Sequence, residues 1–280
     1  MLFIDFKGVD FDAHPCENKL NTTKYKKVRE KYCTFAAQSN KKQFLIMDFS
    51  KLKVIYEDNH LIAVNKPAGM LVHEDETGDE TLADLVKWYI KQRYNKPGEV
   101  FLGVIHRLDR PVSGLCIFAR TSKALERMNE MFKERTINKT YFAIVEQRPE
   151  ELEGKLVHWL LKDTKTNITK ASNKQKSKDA KEAILDYLYV GGIGDHHLME
   201  VHPHTGRSHQ IRVQLAKIGC PIRGDLKYGA QRKNKNGEFI HLHAYKLEFI
   251  HPTQKEPITI IADLPTSEPM WRDFGHLVSK

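Results

Sequence analysis

From about residue 52 onward, short runs of β-branched and aromatic residues are cut every few positions by Gly, Pro, Asn or Asp. That rhythm restricts the fold more than any other feature. KVIYED (53–58) and HLIAVNKP (60–67) read as two strands turned at Asp58-Asn59, and Pro67-Ala68-Gly69 closes the second with another turn. GLCIFAR (114–120), KTYFAIV (139–145), ILDYLYV (184–190) and HLMEVHP (197–203) read as further strands, with two more around 245–250 and 257–261. Three stretches have helical period instead. One starts at Thr81, with Asp84 completing a capping box and Leu82, Leu85, Val86, Tyr89 and Ile90 as its apolar stripe. A second covers 122–134, capped by Ser122, with Leu125, Met128 and Phe132 on one face. The third covers 208–218, with Ile211, Leu215 and Ile218 inward and Gly219 as its stop. Helices do not follow every strand, so the pattern predicts an α+β fold rather than a doubly wound parallel sheet.

The chain has 280 residues, long enough to bury a core without metal or disulfide staples. It is 40% hydrophobic and 29% charged, which excludes wholesale disorder. No apolar run approaches the ~20 residues that span a bilayer, and MLFIDFKGVDFD lacks the basic start and apolar stretch of a secretory signal. Cys16, Cys33, Cys116 and Cys220 form no C-x-x-C pair, so reduced thiols in a cytoplasm are expected. The formal net charge of +9 points toward a polyanionic partner.

Two segments stand apart. Residues 1–50 carry Lys24, Lys26, Lys27, Arg29 and Lys31 with weak apolar periodicity. They read as a basic N-terminal extension before a domain covering 51–280, with Met47 as an alternative start. Residues 162–181 hold seven lysines against two aspartates and no apolar period. They read either as a solvated loop or as a loop that contacts a nucleic-acid backbone.

Three groups of residues could carry chemistry. In GVIHRLDRPVSG (103–114), an extended backbone would put Arg107 and Asp109 on one face. An aspartate between Arg107 and Arg110 would keep its charge, making it a poor acid but a ready nucleophile or base. On spacing alone, a structural salt bridge explains it as well. In HPHTGRSHQIRVQL (202–215), His202, His204 and His209 suggest a metal, but no metal-ligand spacing is met and no nearby carboxylate completes a set. A helix opening near Ser208 beside Arg207, with Arg212 one turn in, would form an anion site. In Lys139-Thr140-Tyr141-Phe142-Ala143, a lone strand tyrosine reads as core packing.

Taken together, the three resemble the RluA-type family of pseudouridine synthases. HRLDR-P-V-SG resembles that family's signature around its catalytic aspartate, KTYFA the strand bearing the active-site tyrosine, and TGRSHQIR the motif bearing the active-site arginine. VNKPAGMLVH (64–73), PIRGDLKYG (221–229) and LHAYKLEFIHP (242–252) extend the resemblance over about residues 54–264. Residues 1–50 do not resemble the family's S4 appendage. Val112 and Gln214 depart from the usual Thr and His.

The resemblance implies a mixed, largely antiparallel sheet flanked by helices and loops, with a central RNA-binding cleft. It implies isomerisation of uridine in structured rRNA or tRNA. That reaction involves no redox change and adds no external group, so neither cofactor nor metal is required, and a monomer is expected. Asp109 would be the catalytic aspartate, by a covalent adduct or a glycal route. Tyr141 would stack on the flipped base and assist loss of its C5 proton, and Arg212 would pair with Asp109. Arg107 would help fill the space the base vacates. His106, Arg110, Arg207, His209 and Lys139 would lie on the RNA side. A catalytically silent RNA-binding protein and a metal-dependent hydrolase using the three histidines stand as alternatives at this stage.

Overall fold

A computed structural model describes residues 52–75, 77–234 and 239–278. The expected extension at 1–50 lies outside them. Eleven strands join in one sheet. The first two, β1 (Lys53–Glu57) and β2 (Leu61–Lys66), form the antiparallel hairpin expected from their residues. Its turn is made by Asp58, whose Oδ1 accepts the N–H groups of His60 and Leu61 at 2.7 and 2.6 Å. Helix α1 (Leu82–Arg93) begins as the sequence requires: the Thr81 hydroxyl accepts the Asp84 N–H, and Asp84 reaches back to Thr81. Such a cap contributes about 1 kcal/mol.

Next come β3 (Gly103–Val104) and β4 (Ser113–Ala119), every residue of β4 being buried. Helix α2 (Ser122–Glu134) is capped by Thr121 rather than the expected Ser122. Ser122 is already helical, and only the residue before it can turn its hydroxyl to the Ala124 N–H. Then follow β5 (Asn138–Val145), β6 (Glu153–Asp163), β7 (Ile168–Ser172), β8 (Lys181–Ile193) and β9 (His196–Pro203). Helix α3 (Gln210–Lys217) precedes β10 (Leu242–Ile250), β11 (Pro257–Ile261) and α4 (Pro269–Phe274).

The strand order is β1-β2-β4-β10-β5-β9-β8-β6-β7, with β11 on β10 and β3 on β4. Only the β4–β10 pairing is parallel among these, so the α+β, largely antiparallel expectation agrees with the observed sheet. Strands β6 and β7 form a hairpin that the sequence reading did not assign. The Lys-rich 162–181 stretch is therefore not one loop. It ends β6, forms β7 and starts β8. Pairing with β6 supplies the order that β7's polar sequence hides.

At the parallel seam one row runs Gly114, Ala244, Tyr141, Val201 across four strands. Gly114 has φ +114°, and a Cβ there would lie 2.2 Å from the Ala244 carbonyl oxygen. Only glycine fits at that crossing. The result is a sheet centre with almost no side-chain bulk on the β4 side of Tyr141. Among the described residues, no helix is long and apolar enough to cross a membrane.

Candidate active site

The segment between β3 and β4 leaves the sheet and is strapped down on every side. His106 replaces the lost ladder: its Nε2 accepts the Ile117 N–H of β4 at 3.1 Å, and its ring stacks on Phe132 at 5.3 Å. Burial, aided by Lys139, pushes the His106 pKa down to about 4, so the ring is neutral and spent on the fold. Leu108 and Val112 are buried on either side of Asp109. The Val112 N–H closes a turn on the Asp109 carbonyl, and Ile240 N–H holds the Pro111 carbonyl.

Lys66 fastens the same segment from below. It is fully buried, and its ammonium donates to the carbonyls of Pro67, Met70 and Arg110 at 3.0, 2.7 and 3.1 Å. Burial lowers its pKa to about 8, yet three acceptors match its three donors and keep it charged at neutral pH. The VNKPAGM motif thus acts as the bracket of the Asp109 turn, with Gly69 N–H on the Arg110 carbonyl and Arg110 Nε on the Gly69 carbonyl.

These straps expose Asp109 but not between its flanking arginines, as the extended-strand argument expected. Arg107 turns to His73 (3.0 Å), and Arg110 turns to Gly69 and Asp79. The segment is irregular, so side-chain alternation does not apply. The counter-ion comes from 103 residues away. Arg212 Nη1 donates to Asp109 Oδ2 at 2.9 Å, while its Nε and Nη2 hold both oxygens of Asp225 at 2.7 and 2.8 Å. Arg212 is 5% exposed. Burial alone would lower its pKa, but Asp225 first and Asp109 next raise it well above the ordinary value.

Helix α3 that carries Arg212 is held by buried amides. Gln210 Oε1 accepts Thr205 Oγ1 and the Arg207 N–H, and its Nε2 donates to the Ile184 carbonyl. Gln214, where the family pattern has His, is wholly buried and donates to the Leu156 and Ala183 carbonyls. The helix begins at Gln210, not Ser208, because His209 is left-handed at φ 54°. The expected anion site is altered accordingly: Gln210 takes the Arg207 N–H, and Arg207 Nε donates to the Glu182 carbonyl. Gly219, at φ +81°, ends the helix with Gly219 N–H on Ala216 and Cys220 N–H on Leu215.

The expected site residues His106, Arg107, Asp109, Arg110, Lys139, Tyr141, Arg207, His209 and Arg212 all line one cleft of about 1210 Å³. Tyr141 faces it from β5. Burial first, then Cys116 and Asp109, push its pKa far above the phenol range, so it stays a neutral phenol. Lys139 sits over the Phe132 ring at 5.9 Å, its pKa lowered by burial and Arg135. Lys162 and Lys227 add positive charge to the lining.

His202, His204 and His209 do not converge. They face Glu200, Asp186 and Tyr228 respectively, at 2.9, 2.6 and 2.7 Å. Among the described residues, no group of three or more His, Cys, Asp or Glu could hold a metal ion. Asp225 and Tyr228 were missed as functional candidates. Their signal was PIRGDLKYG, a quoted motif for which no side-chain role was derived.

A carboxylate anchored by one guanidinium nitrogen, sharing with a neutral aromatic ring a cleft lined by Arg and Lys, is suited to a flipped RNA base. A sequence model for a family described as RNA pseudouridylate synthase matches residues 60–217. The chain is 34% identical over 254 residues to tRNA pseudouridine synthase C of Haemophilus influenzae, covering 80% of this chain and 98% of that protein. It is 32% identical over 223 residues to ribosomal large subunit pseudouridine synthase D of Zymomonas mobilis, covering 76% and 69%. The solved structure of human RNA pseudouridylate synthase domain containing 4 superposes with a TM-score of 0.66 at 23% identity, covering 80% of this chain and 92% of that one. The chain belongs to the RNA pseudouridylate synthase family, and its activity is that of an RNA pseudouridine synthase.

Proposed function

We propose that the chain isomerises one or a few uridines of structured tRNA or rRNA, with Asp109 as the residue that acts on the flipped nucleotide. The Asp109–Arg212 contact inside a basic cleft, with Tyr141 lining the same cleft, carries this reading. The reaction breaks N1–C1′, forms C5–C1′, and moves a proton from C5 while N1 gains one. The product is an isomer, so no oxidant or group donor enters the balance. Asp109 serves as nucleophile toward the sugar or as base, and Arg212 orients it through Nη1. Tyr141 stacks on the base. Its raised pKa favours a neutral ring over a phenolate base.

The flipped base loses stacking worth a few kcal/mol, which phosphate contacts to Arg107, Arg207, Lys162 and Lys227 offset. Cys116 and Cys220 are buried free thiols, in keeping with a reducing cytoplasm. The length match to a tRNA-named relative supports a small stem-loop target. The test is pseudouridine mapping of total RNA from cells with and without the gene. Loss of defined sites, restored by wild type but not by Asp109→Asn, is expected. Restoration by Asp109→Asn would overturn the assignment.

A further inference from the structure

Arg212 donates to Asp109 and His209 Nε2 stands 3.9 Å from it, and the partners of both lie on one short turn. We propose that Asp225 and Tyr228 are positioning residues for Asp109, acting through Arg212 and His209. The inference rests on the reading of Asp109 as the acting carboxylate.

Leu226–Tyr228 form a single 3-10 turn, preceded by Asp225 and followed by Gly229 at φ +96°. Side chains three apart eclipse in such a turn, so Asp225 and Tyr228 leave on one side. Gly224 lets the chain enter: its φ is +83°, and a Cβ would lie 2.1 Å from Asn234 Nδ2. One arm is the Asp225 carboxylate, 2% exposed, which takes Nε and Nη2 of Arg212 and leaves Nη1 for Asp109. Without it, a guanidinium fork would be free to grip Asp109 with two nitrogens and quench it.

The other arm is Tyr228. Its oxygen accepts the Thr169 N–H of β7 at 2.9 Å, and its hydroxyl lies 2.7 Å from His209 Nδ1. With the N–H accepted from Thr169, the O–H is directed to Nδ1. A neutral imidazole that accepts at Nδ1 carries its proton on Nε2. Nε2 lies 3.9 Å from Asp109 Oδ2, longer than a hydrogen bond, as open catalytic sites often show before substrate tightens them. Burial keeps His209 neutral, with Arg212, Lys227 and Lys162 acting the same way against the pull of Asp109. The left-handed backbone of His209 is a conformation that persists only when surroundings hold it. The two arms also touch, since the Arg212 guanidinium lies 5.1 Å over the Tyr228 ring.

Full-length protein is assayed on total tRNA and rRNA from cells lacking the gene. Tyr228→Phe removes one oxygen and is expected to lower the single-turnover rate at saturating RNA about tenfold. RNA affinity is expected to stay close to wild type, while the thermal midpoint falls because the buried Thr169 N–H loses its acceptor, so rates are read well below it and the split between the two His209 variants carries the test. His209→Gln keeps an N–H near the Nε2 position and retains most of the rate, whereas His209→Leu does not. Asp225→Asn is expected to lower the rate further. Nitrogen NMR of the His209 ring is expected to show the Nε2–H form. A wild-type rate in Tyr228→Phe, equal rates in the two His209 variants, or a proton on Nδ1 would overturn the positioning role alone. An inactive wild type would overturn the reading of the site and the inference with it.

Discussion

Arg212 gives Asp109 one guanidinium nitrogen, Nη1 to Oδ2 at 2.9 Å, because Asp225 holds the other two. The pair therefore orients the carboxylate through a single charge-assisted bond and leaves its second oxygen open to the cleft. A lysine cannot reproduce this, since an ammonium is one point charge and not a planar fork. Arg212→Lys is expected to leave Asp225 or Asp109 unpaired and to cost about 3 kcal/mol of stability or more. Urea unfolding and product formation check it together, and wild-type values in both would refute the geometry.

Asp109→Asn keeps shape and removes charge. RNA affinity is expected to stay within about twofold while product disappears. Filter binding beside pseudouridine detection separates the two. Appreciable turnover by a cleanly purified variant would show that the acting group lies elsewhere.

Neutralising Lys170, Lys174, Lys176 and Lys178, all exposed, tests the β6–β7 hairpin and the turn beyond it. Each lost phosphate contact flattens the slope of log affinity against log salt by about 0.7–0.9. Binding isotherms over a salt series measure this, and an unchanged slope would mark these lysines as a solvated face.

Gly114→Ala is expected to destabilise the protein by about 3 kcal/mol or more, because the new Cβ meets the Ala244 carbonyl in a backbone conformation that alanine avoids. Thermal unfolding reads the loss. A variant as stable as wild type would mean that the β4–β10 crossing can open without cost.

His243 makes stability depend on acid. It is wholly buried, with Ser113 Oγ against Nδ1 at 2.8 Å and the Ala262 carbonyl against Nε2 at 3.1 Å. Burial pushes its pKa down to about 4 from an ordinary 6.5. Between those values the unfolded chain binds more protons, so stability falls as pH drops from 6.5 to 4 and this contribution levels off below. The loss is on the order of 3 kcal/mol. Denaturant melts across that window test it, and His243→Phe is expected to flatten the slope.

Most elements were legible because their side chains repeat with the right period. The Thr81-Asp84 box and Gly219 marked helix ends, since capping is decided within a few residues. β7, set within the Lys-rich 162–181 stretch, was not legible. Its order comes from pairing with β6 and from Thr169 N–H on the Tyr228 hydroxyl, partners 59 residues apart. Within the site, the resemblance of three motifs to one family brought Asp109, Tyr141 and Arg212 together. The same motifs did not reveal that Arg107 and Arg110 turn away, that His106 serves the β4 backbone, or that Asp225 and Tyr228 stand behind the site.

The sequence by itself determined where most strands and helices run, the basic character of the chain and the residue types available for chemistry, because those depend on local period and composition. The tertiary structure decided which charge Asp109 meets. A salt bridge is set by distance in space, and the nearest guanidinium in sequence was not the nearest in the fold. It also decided which tyrosine faces the cleft and which holds a histidine, since burial and the crossing of β4 with β10 place those rings.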